Sequence, residues 1–136
     1  MTAKEFMRGI RRLQDEVRTL EKESQYWKMQ SENISKNTLE PHYNPNRKTE
    51  ASFAKCLEKY DEIQREIAEK VLQLAELRDI VNAQIESIDN PEERILLRYR
   101  YLNRSTWEDI CVTMGLSRRT AFRIHGRALE KIAVPK

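Results

Sequence analysis

From Phe6 to Ile34, apolar and small side chains recur at alternating steps of four and three: Phe6, Ile10, Leu13, Val17, Leu20, Ser24, Trp27, Ser31 and Ile34. Such a repeat places all of them on one side of an α-helix as a heptad seam, with polar slots at Ser24 and Ser31. The positions between carry Arg11, Arg12, Asp15, Glu16, Arg18, Glu21, Lys22 and Glu23, as a solvated face does. A long amphipathic helix cannot bury its own seam, so this segment requires a partner helix.

The same chain offers one. Between positions 50 and 88 the stripe Phe53, Cys56, Tyr60, Ile63, Ile67, Lys70, Leu74, Leu77, Val81, Gln84 and Ile88 keeps the same spacing. Leu57, Val71, Ile80 and Ile85 broaden it, so this helix is expected to face the first helix and a further neighbour, either a second subunit or the C-terminal residues. The pattern predicts a long antiparallel, coiled-coil-like helical hairpin over 1–88 that serves dimerisation or bracing, with a homodimer through these helices as the first case. Tyr26 and Trp27 read as core or dimer contacts.

A connector over 37–49 has two prolines, Pro41 and Pro45, and three asparagines. Thr49 is the expected cap of the second helix, with Glu50 in its first turn. Tyr43, Arg47 and Lys48 are either parts of an irregular link or contacts for nucleic acid or protein. With only Gly 3 and Pro 4 in the whole chain, and 35% charged residues, turn formers are scarce and the expected class is all-α.

Composition changes at Pro91. Residues 1–90 hold 15 Lys+Arg against 17 Asp+Glu, whereas residues 91–136 hold 10 against 5, and eight of those ten are arginine. Arginine suits bidentate contact with phosphate or guanine, so a polyanion is the natural partner of this second domain, 89–136.

Local signals divide 89–136 into three helices. Asp89-Asn90-Pro91-Glu92-Glu93 provides a cap, a proline at the first helical position and acids in the first turn. The helix begun there carries Ile95, Leu96, Tyr99 and Leu102 and breaks at Asn103-Arg104. Ser105-Thr106-Trp107-Glu108 reads as a Ser-x-x-Glu capping box, with the stripe Trp107, Ile110, Cys111 and Met114 behind it. Gly115-Leu116-Ser117 closes that short helix: Gly115 takes a left-handed conformation, Leu116 plugs the core and Ser117 caps the last helix. The last helix buries Ala121, Ile124, Ala128, Leu129 and Ile132, leaving Arg118, Arg119, Thr120, Phe122, Arg123 and Arg127 on its far side. A short helix, a tight glycine turn and a second amphipathic helix make a helix-turn-helix, whose second helix reads the DNA major groove through its N-terminal residues.

Leu96-Leu97-Arg98-Tyr99-Arg100-Tyr101-Leu102, Trp107-Glu108-Asp109-Ile110, Gly115-Leu116-Ser117 and Arg127-Ala128-Leu129-Glu130-Lys131-Ile132 resemble region 4 of bacterial sigma factors over about 91–132. Trp107, the run Arg123-Ile124-His125-Gly126-Arg127-Ala128-Leu129 and the loop Tyr43-Asn44-Pro45-Asn46-Arg47 are similar to small prophage proteins of Gram-positive bacteria. Those proteins join a helical N-terminal half to a sigma-region-4-like end and are regarded as late-gene transcriptional regulators. The resemblance implies a sequence-specific reader of double-stranded DNA of phage or prophage type, an activator touching RNA polymerase being one form. It assigns base-edge contacts to Arg118, Arg119, Phe122 and Arg123, and with the helix pattern it suggests phosphate contacts at Ser117, Thr120, Arg127, Arg98, Arg100 and Arg104. For Arg98, Arg100 and Arg104 the alternative is surface salt bridging. Phe122 departs from the usual polar choice, and either packs on a thymine methyl or faces the hairpin. With no sigma region 2, the chain is not a complete sigma factor. Two other readings stay open: a small terminase-like DNA-packaging protein, and a sigma-like adaptor that binds RNA polymerase without reading DNA.

No enzyme is expected, since glycine-rich phosphate loops and partnered nucleophiles are missing from the sequence. Trp107 and His125 read as structural, a core plug and a partly buried histidine. Cys56 and Cys111 are far apart, and His42 and His125 have no second ligand one helical turn away, so no disulfide, metal or cofactor is expected. The longest apolar runs are of the length of Ile95-Leu96-Leu97, far short of the roughly 20 residues that cross a bilayer. No membrane role and a cytoplasmic site of action in the bacterial host, on the nucleoid when bound to DNA, are the corresponding expectations.

Overall fold

A computed structural model describes residues 1–38 and 47–135, with side chains over 1–35 and 50–135. Every regular element among them is helical: α1 (Ala3–Thr38), α2 (Arg47–Glu86), α3 (Pro91–Leu97), α4 (Trp107–Met114) and α5 (Arg118–Glu130), with a π-helical turn, Arg98–Leu102, continuing α3. The chain is all-α, and its two long helices pair antiparallel. It forms two compact units, one of Met1–Gln14 with Gln73–Lys136, the other of Asp15–Leu72.

In the unit 15–72, direction is fixed by partners. Lys70 Nζ donates to Glu16 Oε2 at 2.9 Å and Gln64 Nε2 donates to Ser24 Oγ, so positions rise along α1 as they fall along α2. The lysine in the α2 stripe is thereby explained: the Glu16 carboxylate, by hydrogen bond and charge, raises the Lys70 ammonium above its ordinary value. The polar slots are satisfied as well, because Ser31 Oγ donates to the Lys28 carbonyl at 2.7 Å while Ser24 takes the Gln64 amide. Val17 and Cys56 are buried, and Leu20, Trp27, Ile34, Phe53, Tyr60, Ile63 and Ile67 are half-buried. Tyr26 is not in the core: it is exposed, its ring meeting the edge of Trp27 at 5.1 Å. Leu57 and Val71, expected to broaden the buried stripe, are also exposed.

The ends of the connector are helical, contrary to expectation. α1 runs to Thr38 and α2 starts at Arg47, ahead of Thr49, so Thr49 lies inside the helix rather than at its cap; Arg47 and Lys48 are good helix formers and carry the helix back past it. Glu50 stands in the first turn as expected. The readings of His42 and Tyr43 fall outside the described residues, as do the side chains of Arg47 and Lys48.

In the other unit α1 opens with a reciprocal cap: Glu5 N–H donates to Thr2 Oγ1 at 3.2 Å and Thr2 N–H donates to Glu5 Oε2 at 3.1 Å. Its first turns enter a core made of Met7, Ile10, Val81, Ile85, Ile88, Leu97, Tyr101, Ala128 and Ile132. Met7 and Gln14, outside the heptad seam, are buried because α1 here meets both α2 and the C-terminal helices. Of the broadening α2 residues, Ile85 joins this core while Ile80 stays exposed.

A second cluster, Leu96, Ile110, Ala121 and Ile124, is flanked by Tyr99, Trp107, Cys111, Met114 and Leu116. α3 stands between the two clusters, so its consecutive leucines serve different cores, and Ile95, expected inside, faces solvent. Asn90 Oδ1 caps α3, accepting from the N–H groups of Glu92 and Glu93 at 2.9 and 3.4 Å, with Pro91 at the first helical position. Arg94 Nη1 ties this start to the end of α2 through the carbonyls of Ile88 and Asp89, at 2.6 and 2.9 Å.

Candidate nucleic-acid interface

The π turn sets the path of the chain from α3 into α4. Asn103 N–H reaches back to the Arg98 carbonyl at 2.9 Å, so one extra residue is taken up, and Tyr101 enters the first cluster while Tyr99 packs on the second. Ser105 N–H then donates to the Tyr99 carbonyl at 2.8 Å, and Arg104 adopts φ 59°, a left-handed turn. With Ser105 held to the π turn, the cap of α4 is Thr106, not Ser105: Thr106 Oγ1 accepts from Asp109 N–H at 3.2 Å. The N-cap is shifted by one residue from the sequence expectation.

α4 ends at Gly115, whose φ of 66° and ψ of 40° suit a residue without a side chain, and Leu116 N–H donates to the Cys111 carbonyl at 2.9 Å. Leu116 packs on the second cluster, and Ser117 Oγ caps α5 by accepting from Thr120 N–H at 3.2 Å. The connection is thus three residues long, as the sequence predicts. Ala121, Ile124 and Ala128 of α5 are buried, and Arg118, Arg119, Phe122, Arg123, Gly126 and Arg127 are exposed.

Each candidate contact has a defined position. Arg119 and Arg123 stand one turn apart at the centre of the exposed face of α5. Arg118 is also exposed, 3.6 Å from Glu108 and 5.8 Å above the Phe122 ring. Phe122 meets Trp107 edge-on at 4.8 Å with 45% of its surface open, so it packs on α4 and does not face the hairpin. Ser117 Oγ is engaged in the cap and donates to Thr120 Oγ1 at 2.9 Å. Arg98 is turned away, toward α2, where it holds Asn82 Oδ1 at 2.6 Å and Glu86 Oε1 at 2.8 Å. For this arginine the salt-bridge reading describes the geometry.

Arg100 points to the other side. Its guanidinium lies 4.6 Å from the centre of the Trp107 ring and donates to the Ser105 carbonyl at 3.3 Å. Trp107 also meets His125 edge-on at 4.9 Å, while His125 stacks on Tyr101, whose hydroxyl is 2.6 Å from Nε2. Burial, with the nearby charges of Arg100, Lys4 and Arg8, brings His125 down to about 4, so the ring that shares this bond with Tyr101 is neutral at pH 7. Burial likewise raises the Tyr101 phenol. Burial and the neighbouring Arg11 and Arg8 lower Arg100.

Sequence reasoning missed this side of the site. Arg11 donates to the Arg100 carbonyl, and Gln14 Nε2 donates to the Tyr101 carbonyl at 3.1 Å, so α1 is fastened to the π turn. Contacts between positions nearly ninety apart leave no trace in local spacing. Among the described residues, no group of three or more His, Cys, Asp or Glu side chains is placed to hold a metal ion, and no helix is long and apolar enough to cross a membrane.

These features define an all-helical protein with a long antiparallel helix pair and, toward its C-terminal end, two short helices joined by a three-residue turn, the second with arginines on its exposed face. Residues 28–133 match the family described as Protein of unknown function (DUF1492), and the chain belongs to that family. No curated protein and no solved structure matches the chain.

Proposed function

We propose that this protein is a sequence-specific, double-stranded DNA-binding transcriptional regulator of phage or prophage type, with α5 as its recognition helix. The observation that carries the reading is the exposed face of α5, where Arg118, Arg119, Arg123 and Arg127 stand on a helix whose opposite side is buried. No carboxylate of α5 precedes Glu130. Arg119 and Arg123 suit bidentate contact with guanine edges, and Arg127 suits a phosphate farther along the groove. The similarity to sigma region 4 in sequence supports the same assignment.

One observation favours a protein partner in addition. Val112, in the middle of α4, is 83% exposed beside Trp107, Cys111 and Arg118, an apolar side chain facing away from both cores. Contact with RNA polymerase through α4, while α5 lies on DNA, fits an activator.

The decisive experiment is selection of bound sequences from a random duplex library at physiological salt, with an Arg119→Ala, Arg123→Ala double variant in parallel. An enriched motif for the wild type alone is the expected result. No enrichment with either protein would end the base-reading proposal and direct attention to the polymerase-adaptor reading.

A further inference from the structure

Lys4, Arg8 and Arg11 succeed one another at steps of four and three along α1, so they share one flank of that helix, beside the Met7 and Ile10 face that enters the core. This flank lies against the π turn. Arg11 donates to the Arg100 carbonyl, and Arg100 covers Trp107, which in turn touches Phe122 and His125 of α5. Four cations from two distant parts of the sequence therefore gather beside the π turn, Lys4, Arg8 and Arg100 near enough to His125 of α5 to act on it.

Arg11 and Arg100 spend hydrogen bonds on main-chain carbonyls, those of Arg100 and Ser105. Two carboxylates nearby in sequence are engaged elsewhere, Glu5 in the α1 cap and Glu16 on Lys70. The charges act on one another instead: Arg8 and Arg11 bear on Arg100, and Lys4, Arg8 and Arg100 bear on His125. Like charges held together without a counterion cost stability, and an anion seated among them removes that cost.

The geometry points to a phosphate-binding cluster, formed by Lys4 and Arg8 of α1 with Arg100 of the π turn, that holds the backbone of duplex DNA beside the groove entered by α5. Arg11 is a positioning residue, fixing α1 to the Arg100 main chain. The inference rests on the DNA-binding reading of α5 and extends the contact surface to a helix that sequence patterning assigns only to dimerisation or bracing. Two phosphate contacts from α1 add no base preference of their own and make binding more salt-dependent.

The test is a salt titration of duplex binding by the full-length protein, using the duplex selected with the wild type and one of unrelated sequence. Wild type is compared with a Lys4→Gln, Arg8→Gln double variant and with Arg119→Ala, Arg123→Ala. Lys4 and Arg8 are exposed, so their replacement leaves the cores untouched. For Lys4→Gln, Arg8→Gln the slope of log affinity against log salt is expected to fall in magnitude by about 2, at about 0.9 per phosphate. The loss should be equal on both duplexes and largest at low salt. Its melting temperature without DNA should match or exceed that of the wild type, because repulsion is relieved; a drop would mark a structural role and overturn the inference. An unchanged slope and affinity would also overturn it while leaving α5 as the reader. Failure of the wild type to bind any duplex would remove the DNA reading itself, and this inference with it.

Discussion

The Tyr101 hydroxyl lies 2.6 Å from Nε2 of His125, joining the π turn to the middle of α5 beneath the Trp107 ring. Burial keeps this imidazole neutral at pH 7. In the native state it titrates at about 4, against 6.5 for a free histidine. Between those values the unfolded chain takes up a proton that the native ring refuses, so stability falls as pH drops from 6.5 toward 4 and is insensitive to this group above 6.5. Allowing for solvent screening at a half-buried ring, the loss is on the order of 1–2 kcal/mol. Denaturant midpoints at pH 7 and pH 4.5 should differ more for the wild type than for His125→Gln, and equal differences would contradict the assignment.

Base reading makes a separate prediction. Arg119→Ala and Arg123→Ala should each cost about 1–3 kcal/mol on the selected duplex and much less on unrelated sequence. Equal losses on both would reduce these residues to phosphate contacts. Titrations of the two single variants against both duplexes measure the difference.

The shifted cap of α4 is directly testable. Thr106→Ala removes the acceptor of Asp109 N–H and should destabilise by about 1 kcal/mol, whereas Ser105→Ala should stay within roughly 0.5 kcal/mol. The reverse order in urea denaturation would restore the register read from sequence.

Glu93 has a side chain only 5% exposed, and Lys131 Nζ donates to it at 2.6 Å, closing the end of α5 onto α3. Lys131→Met leaves that carboxylate buried without its cation and should cost about 2 kcal/mol, less than a fully buried pair because Lys131 is half in water. Adding Glu93→Gln should return most of the loss. A double variant no more stable than the single one would mean that the lysine acts by packing alone.

Gly126 occupies the exposed side of α5, and a Cβ there would meet nothing within 4 Å. Gly126→Ala should therefore stabilise by about 0.5–1 kcal/mol through helix propensity. A lower denaturant midpoint would show an unseen constraint at this position.

Where one neighbour decides burial, sequence spacing was enough. Every position of the α1 seam from Phe6 to Ile34 is buried or half-buried, as is every position of the α2 stripe from Phe53 to Ile88. Gly115 and Ser117 were equally legible, because left-handed backbone and helix capping are local demands. Spacing failed where two neighbours compete: Met7 and Leu97 are buried outside any expected stripe, and Ile95 is exposed within one. It failed again at the π turn, since an extra residue in a helix carries no distinctive composition, and Tyr101 and the cap at Thr106 were misjudged together. Arg98 and Arg100, two positions apart with the same side chain, face α2 and Trp107 respectively, a difference that charge counting does not register.

Met7 and Ile10 share a core with Leu97, Tyr101, Ala128 and Ile132, so the first turns of the chain are completed by its last helix. In a polypeptide made from its N-terminus, the cover that Leu97, Tyr101, Ala128 and Ile132 give to Met7 and Ile10 arrives only when those later residues have been made. The unit that holds α5 joins stretches far apart in sequence, Met1–Gln14 with Gln73 onward, so its contacts carry a closure cost that local helix formation does not. The segment 15–72, whose contacts lie within one stretch of chain, needs none of α3, α4 or α5 to close.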